Sequence, residues 1–272
     1  MATKLQSRFV DAGGLHIHYL EAGAGAPVVL LHGGLATAEM SWQTPLPDLA
    51  RTWHVLAPDS RGHGGTINPA DSLSYAQMAD DVAAFIAALG LDRPAILGYS
   101  DGGQIALEFG LRHPGVAHAL IFGGTVISPG DGYTEMLHDW GFPGPGEIDL
   151  PAIEKGMGDF FQTVRTAHGP KNEPDYYQRF LRQVSRLWLE VPTYTPEQLA
   201  AIAEPALVIC GDRDGAAIAQ APRFIAALRQ GELAVVPDGD HDAVNRPLFW
   251  AAVKDFLARH IGRDGRRTQW VS

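Results

Sequence analysis

The chain has 272 residues, 46% of them hydrophobic and 19% charged, a balance that supports a sizeable core and excludes a disordered chain. Its 21 basic residues against 31 acidic ones leave a net charge of −10, which repels phosphate backbones and argues against a nucleic-acid partner. One cysteine, Cys210, permits no intrachain disulfide and no four-cysteine metal site, as expected of a cytoplasmic protein. No apolar run approaches the ~20 residues that span a bilayer, and residues 1–6 lack the apolar core of a secretion signal.

The chain opens with strands. Residues 7–11 and 15–21 flank a glycine turn at Gly13-Gly14 that suits a hairpin. Leu15, Ile17 and Tyr19 alternate with His16, His18 and Leu20, the pattern of an antiparallel edge. Residues 27–31 are uniformly apolar, as in a strand buried on both faces. Similar short runs recur at 54–57, 95–97, 119–122, 206–210 and 233–236. Helices lie between them. Tyr75, Met78, Val82, Phe85 and Leu89 form one apolar stripe. Residues 102–113 stop at Pro114, and further helices are expected at 222–230 and 247–260. Strands alternating with helices predict an α/β fold, a mostly parallel sheet with helices on both faces.

Residues 129–198 interrupt the alternation. They carry proline–glycine pairs and aromatic helical segments but no buried strand. The expected division is a core of residues 1–128 and 199–272 with a helical cap, or lid, at 129–198. An insertion after a strand lies where open α/β sheets bind ligands. Residues 259–272 hold four arginines against Asp264 and read as a solvated tail.

The chemistry centres on Gly98-Tyr99-Ser100-Asp101-Gly102-Gly103. It follows a buried strand and opens a helix, the context that a G-x-S-x-G nucleophile turn requires. The glycines let the backbone take a sharp turn that exposes the serine hydroxyl. That hydroxyl needs a base, and the base needs an orienting carboxylate. His241 follows the last strand, and Asp214 follows the strand at 206–210. Asp214 stands further out on its loop than Asp212, which is assigned to local backbone amides. The backbone N–H groups of Asp101, at the helix start, and of Gly34 are the expected oxyanion donors, with Leu35 as the alternative to Gly34. His32 is expected to hold its loop rather than react.

These segments, with Asp59-Ser60-Arg61-Gly62-His63-Gly64-Gly65-Thr66, occur in an order that resembles the cap-bearing α/β-hydrolases over residues 8–260. The resemblance implies eight strands with the cap inserted after the sixth, and a structural role for the loop at 59–66. The Ser-Asp-Gly-Gly variant is similar to that of valacyclovir hydrolase and related amino-ester hydrolases. There Asp101 could meet a substrate ammonium; the simpler expectation is that its carboxylate favours the helix start. Asp240 and Asp242 flank His241 where the family commonly has glycine before it, and they are expected to be solvated and inert.

The function expected is hydrolysis of a small ester or lactone through an acyl-enzyme on Ser100. Activity should rise as His241 loses its proton, near or below neutrality. Haloalkane dehalogenases and epoxide hydrolases of this family use aspartate at the turn, which Ser100 argues against. Carbon–carbon hydrolases and cofactor-free haloperoxidases use serine and stay open, as does a small-molecule receptor on the same fold. A carbon–carbon hydrolase of dienoic diketones would call for a pocket able to hold a carboxylate. Leu35, Trp140, Phe161 and Trp188 are the candidate substrate contacts. No metal and no cofactor is expected: the histidines lack a ligand spacing, and no dinucleotide motif follows the first strand.

Overall fold

The computed structural model describes residues 5–169, 173 and 175–261; most of the arginine-bearing tail lies outside them. Eight strands form one sheet: β1 (Gln6–Ala12), β2 (Leu15–Ala22), β3 (Pro27–Leu31), β4 (His54–Pro58), β5 (Ala95–Tyr99), β6 (Ala119–Gly123), β7 (Ala206–Gly211) and β8 (Gly231–Val236). Their spatial order is β1-β2-β4-β3-β5-β6-β7-β8. The β1–β2 and β2–β4 pairs are antiparallel and all others parallel. Gly13 and Gly14 have φ of +57° and +77°, the left-handed pair that a two-residue hairpin demands, and they set Ala12 opposite Leu15.

Alternate residues of the central strands enter two separate cores. Val29, Leu31, Ile96 and Phe122 pack on one side with Met78 and Phe85 of α3 (Tyr75–Ala88) and Phe109 of α4 (Asp101–Arg112). Val28, Leu30, Leu97 and Ile121 pack on the other with Trp42 of α1 (Ala38–Trp42), Leu46 of α2 (Leu46–Leu49) and Phe249, Val253 and Phe256 of α11 (Pro247–His260). Each such buried side chain contributes roughly 1.5–3 kcal/mol, which is why these strands read as unbroken apolar runs.

Two expectations change. β8 is the outermost strand, and Leu233 and Val235 on it are each 42% exposed rather than buried on both faces. The helix expected at 222–230 instead spans Gly215–Ala227 (α10) with Pro222 inside it. Ala217, Ala221 and Phe224 are buried, and their packing outweighs the proline's preference for a helix start. α10 also carries Gln220, whose buried side chain accepts from the N–H groups of Ile127 and Ser128 and donates to the carbonyls of Ser128 and Gly130.

Between β6 and β7 the chain forms α5 (Tyr133–Asp139), α6 (Leu150–Met157), α7 (Asp159–Ala167), α8 (Tyr176–Leu189) and the short α9 (Pro196–Leu199). The ends of this stretch are pinned together, since Tyr194 N donates to Ile127 O at 2.9 Å. Among the described residues no helix is long and apolar enough to cross a membrane.

Candidate active site

β5 ends at Tyr99 and α4 begins at Asp101, so Ser100 alone makes the turn, with φ 56° and ψ −119°. A non-glycine residue held in such a conformation costs on the order of 1–3 kcal/mol and persists only when its surroundings enforce it. They do so here. A Cβ on Gly98 would collide with the backbone of Gly102, and one on Gly102 with the carbonyl of Leu31. Both glycines are therefore steric requirements of the turn. Ser100 N donates to Gly123 O at 2.8 Å, and Ser100 O accepts from Gln104 N at 3.0 Å, the first bond of α4.

His241 lies beyond β8 and reaches the turn. Its Nε2 is 2.9 Å from Ser100 Oγ, and its Nδ1 is 2.8 Å from Asp214 Oδ1. Because Nδ1–H donates to the carboxylate, Nε2 is left to accept from the serine hydroxyl. Tyr99 OH donates to His241 O at 2.8 Å and fixes the loop. Burial opposes charge on His241, but hydrogen bonding to Asp214 and the attraction of Asp214, Asp242 and Asp101 outweigh it and raise its pKa above the ordinary imidazole value. Asp242 is among the charges that favour the imidazolium. Asp212, as expected, serves the backbone: its Oδ1 accepts from Gly239 N at 3.1 Å. Gly124 was not foreseen; its φ is +56°, and a Cβ there would crowd both His241 and Asp214.

The loop after β3 comes up beside the turn. A Cβ on Gly33 would touch Ser100 Cβ, while one on Gly34 would stand 2.6 Å from Asp101 Oδ2 and 2.8 Å from the Trp188 ring. The N–H of Asp101 is among the four at the start of α4 that lack intrahelical partners. Its side chain stands in the first turn of α4, as expected. Its carboxylate accepts from Trp188 Nε1 at 2.8 and 2.9 Å and from Tyr75 OH at 3.1 Å. Burial pushes its pKa up to about 6, against the pull of those two donors and of His241.

His32 holds its loop, as expected. Nδ1 donates to Gly33 O at 2.8 Å and Nε2 accepts from Ser60 N at 2.9 Å, and burial lowers its pKa. The 59–66 loop is organised by Asp59, which accepts from Ala38 N, Gly65 N and His18 Nδ1 at 2.7–2.9 Å. His18 Nε2 in turn lies 2.8 Å from Ser7 Oγ, so a second serine–histidine–aspartate line exists that the sequence did not suggest.

Two cavities meet at Ser100 and His241. The first, ≈ 300 Å³, is lined by Val126, Tyr133, Met136, Leu137, Trp140 and Trp188, with Asp101, Arg213, Asp214 and Asp240 as its charged residues. The second, ≈ 320 Å³, is lined by Gly33, Gly34, Ala36, Met40, Ser41 and Phe160 among others, with Asp242 beside His241. Of the candidate substrate contacts, Trp140 and Trp188 line the first cavity. Phe161 and Leu35 do not. Phe161 is buried edge-on against Tyr177, because successive helix residues point about 100° apart and Phe160 took the cavity side. Leu35 is buried with φ +58°, and its carbonyl lies 3.1 Å from His168 Nε2.

The family model for the alpha/beta hydrolase family matches residues 28–253, and the chain belongs to that family. Among curated relatives, a 2-hydroxy-6-oxo-6-(2'-aminophenyl)hexa-2,4-dienoic acid hydrolase of Metapseudomonas resinovorans is 28% identical over 269 residues, 93% of this chain and 91% of its own. A 2-hydroxy-6-oxo-2,4-heptadienoate hydrolase of Pseudomonas putida is 35% identical over 168 residues, 58% of this chain and 57% of its own. Among solved structures, a serine hydrolase involved in carbazole degradation superposes with a TM-score of 0.73 at 26% identity, covering 94% of this chain and 99% of its own.

Proposed function

We propose that this alpha/beta hydrolase is a serine hydrolase of small, uncharged esters or lactones. Ser100 Oγ attacks the carbonyl carbon while His241 Nε2 takes its proton. Asp214 holds the tautomer that makes this possible and stabilises the imidazolium that forms. The N–H groups of Gly34 and Asp101 receive the developing oxyanion, each worth about 3 kcal/mol in comparable sites. His241 returns the proton to the departing oxygen, then activates water to release the acid. Residues 129–198 act as the cap: α5 and α8 supply Tyr133, Met136, Leu137 and Trp188 to the first cavity, and α7 supplies Phe160 to the second.

The observation that carries the choice of substrate is the charge of the two cavities. Their described linings hold four aspartates and one arginine, and that Arg213 is already paired with Asp238 at 2.6 Å. A neutral carbonyl compound fits such a site; an acid meets repulsion. The second reading, hydrolysis of the carbon–carbon bond of a dienoic keto acid, is favoured by the activities of the relatives that match 93% and 58% of this chain.

A panel of p-nitrophenyl esters, lactones of graded size and a 2-hydroxy-6-oxo-dienoic acid separates the two, with Ser100→Ala as control. Esters or lactones turned over with kcat/KM at least tenfold above the dienoic acid support the first reading. The reverse ranking establishes the second.

A further inference from the structure

The mechanism above uses the backbone of Asp101 and leaves its carboxylate unexplained. That carboxylate is buried, and both of its hydrogen-bond donors, the Trp188 indole and the Tyr75 hydroxyl, are neutral. Burying an ionisable group on neutral partners costs free energy, so a bystander at this position would be better replaced by an apolar residue. The partners come from three places in the chain. Asp101 opens α4, Tyr75 opens α3, and Trp188 lies in the last turn of α8. Gly34 completes the cluster, lying so close to the Asp101 carboxylate and the Trp188 ring that only a hydrogen fits between. Trp188 also lines the first cavity and packs edge-on against Phe142, with ring centres 5.0 Å apart.

We infer that the Asp101 side chain is a positioning residue for the oxyanion site: by gripping Trp188 and Tyr75 it braces the Gly34 loop against the start of α4, so that the two backbone donors keep a fixed separation as charge develops on the substrate oxygen. One residue then supplies a donor from its main chain and sets the place of the other donor through its side chain. The inference rests on the serine hydrolase reading and deepens it. Rigidity at this point matters because a misplacement of about 1 Å in a catalytic constellation can cost a factor on the order of 10² in rate.

The test is a double-mutant cycle on the full-length protein. Trp188→Phe removes the indole donor and keeps most of the ring. Asp101→Leu keeps roughly the shape and removes both acceptor oxygens. kcat and KM are measured with p-nitrophenyl butyrate, alongside the affinity of a trifluoromethyl ketone, which forms an oxyanion on a reactive serine. Each single variant is expected to lower kcat about tenfold, a fraction of the 10²–10³ lost with a whole donor, while KM stays within about threefold. Affinity for the ketone falls in parallel with kcat/KM, which a merely structural role would not produce. The double variant loses no more than the worse single one, because both changes break the same contact.

Unchanged kcat in both variants, losses that multiply in the double variant, or a fall in kcat with undiminished ketone affinity would each overturn the inference. If Asp101→Leu does not fold, Trp188→Phe and Tyr75→Phe carry the same comparison through kcat and ketone affinity. Ser100→Ala runs beside them. An active Ser100→Ala protein defeats the serine hydrolase reading itself, whereas an inactive one with a flat cycle defeats this inference alone.

Discussion

At the carboxyl end of β5, His241 stands between Asp214 and Ser100, with contacts of 2.8 and 2.9 Å. At the β1–β2 hairpin, His18 stands between Asp59 and Ser7, with contacts of 2.7 and 2.8 Å. The hydrogen-bond lines are nearly superimposable in chemistry, and their settings differ in every other respect. Ser7 lies exposed on an edge strand. Ser100 is forced into a positive-φ turn, at the head of a helix and at the junction of two cavities. Asp59 spends its remaining acceptor capacity on the backbone of Ala38 and Gly65, so it organises a loop. A histidine between an acid and a hydroxyl makes a base; what makes a reactive site is the strained presentation of the hydroxyl, the donors facing it and the space beside it.

The largest effect should separate the two serines. Ser100→Ala is expected to lower kcat by a factor on the order of 10⁴ to 10⁶ at unchanged fold, while Ser7→Ala stays within about twofold, the scale of surface substitutions. Ester hydrolysis that survives Ser100→Ala, or that falls a hundredfold in Ser7→Ala, breaks the comparison.

The two aspartates should divide in the same way. Asp214→Asn leaves the histidine in the wrong tautomer, which in a comparable triad costs about 10⁴ in kcat. Asp212→Asn, at a carboxylate that accepts from Gly239 N and lies off the serine–histidine line, should cost far less. Asp59→Asn should instead appear in unfolding, with a loss on the order of 3 kcal/mol from a buried charged acceptor. Its partners hold the Asp59 pKa below the usual carboxylate value against the desolvation that raises it. The stability it contributes is therefore present above pH 4 or so and fades as acid protonates the folded state. Denaturant melts at pH 7 and pH 3 on both variants check the division.

Asp101 has the opposite sign. Its pKa of about 6 in the fold lies above the ordinary value near 3.9, so the native state favours the protonated form. Stability from this group is full below about pH 4 and is lost as pH rises through 6. Asp101→Asn should therefore gain on the parent between pH 4 and 7, by up to about 3 kcal/mol for a shift of two units. A difference in Tm that does not change with pH would show the carboxyl to be unperturbed. The smallest expected effect is at Asp242, whose charge raises the His241 pKa. Asp242→Asn should move the acid limb of kcat/KM to lower pH without changing its plateau, and a limb that stays put removes Asp242 from the site's electrostatics.

The sheet and the nucleophile turn were legible in the sequence because each rests on a local rule. Uniform apolar runs mark strands covered on both faces, and Gly98 and Gly102 mark a turn with no room for a side chain. The same rule misjudged β8, since Leu233 and Val235 say nothing about being last in the sheet. Among the cavity residues, Trp188 and Trp140 stand out by composition, but nothing in the sequence states that Phe160 rather than Phe161 takes the cavity side of α7. The carboxylate of Asp101 was out of reach for a related reason. Tyr75 and Trp188 lie 26 and 87 positions away in the chain, and only the packing of α3 and α8 brings their donors to it. The Asp59–His18–Ser7 line was likewise hidden, being a product of strand pairing.

The bond between Tyr194 N and Ile127 O has a bearing on how such a protein changes over time. It closes the stretch between β6 and β7 on itself, so both of its ends leave the core at one neck, while Trp188 and His168 within it reach back to Asp101 and Leu35. Lengthening a closed loop costs little, roughly 0.6 kcal/mol for each doubling, and nothing in β7 need move when the loop is rebuilt. Selection can therefore revise the walls of the cavities, helix by helix, while the turn that carries Ser100 is inherited intact. A chimaera that takes its residues 128–193 from a relative but retains Trp188, joined at this neck, should keep the reactive serine and adopt the donor's choice of substrate.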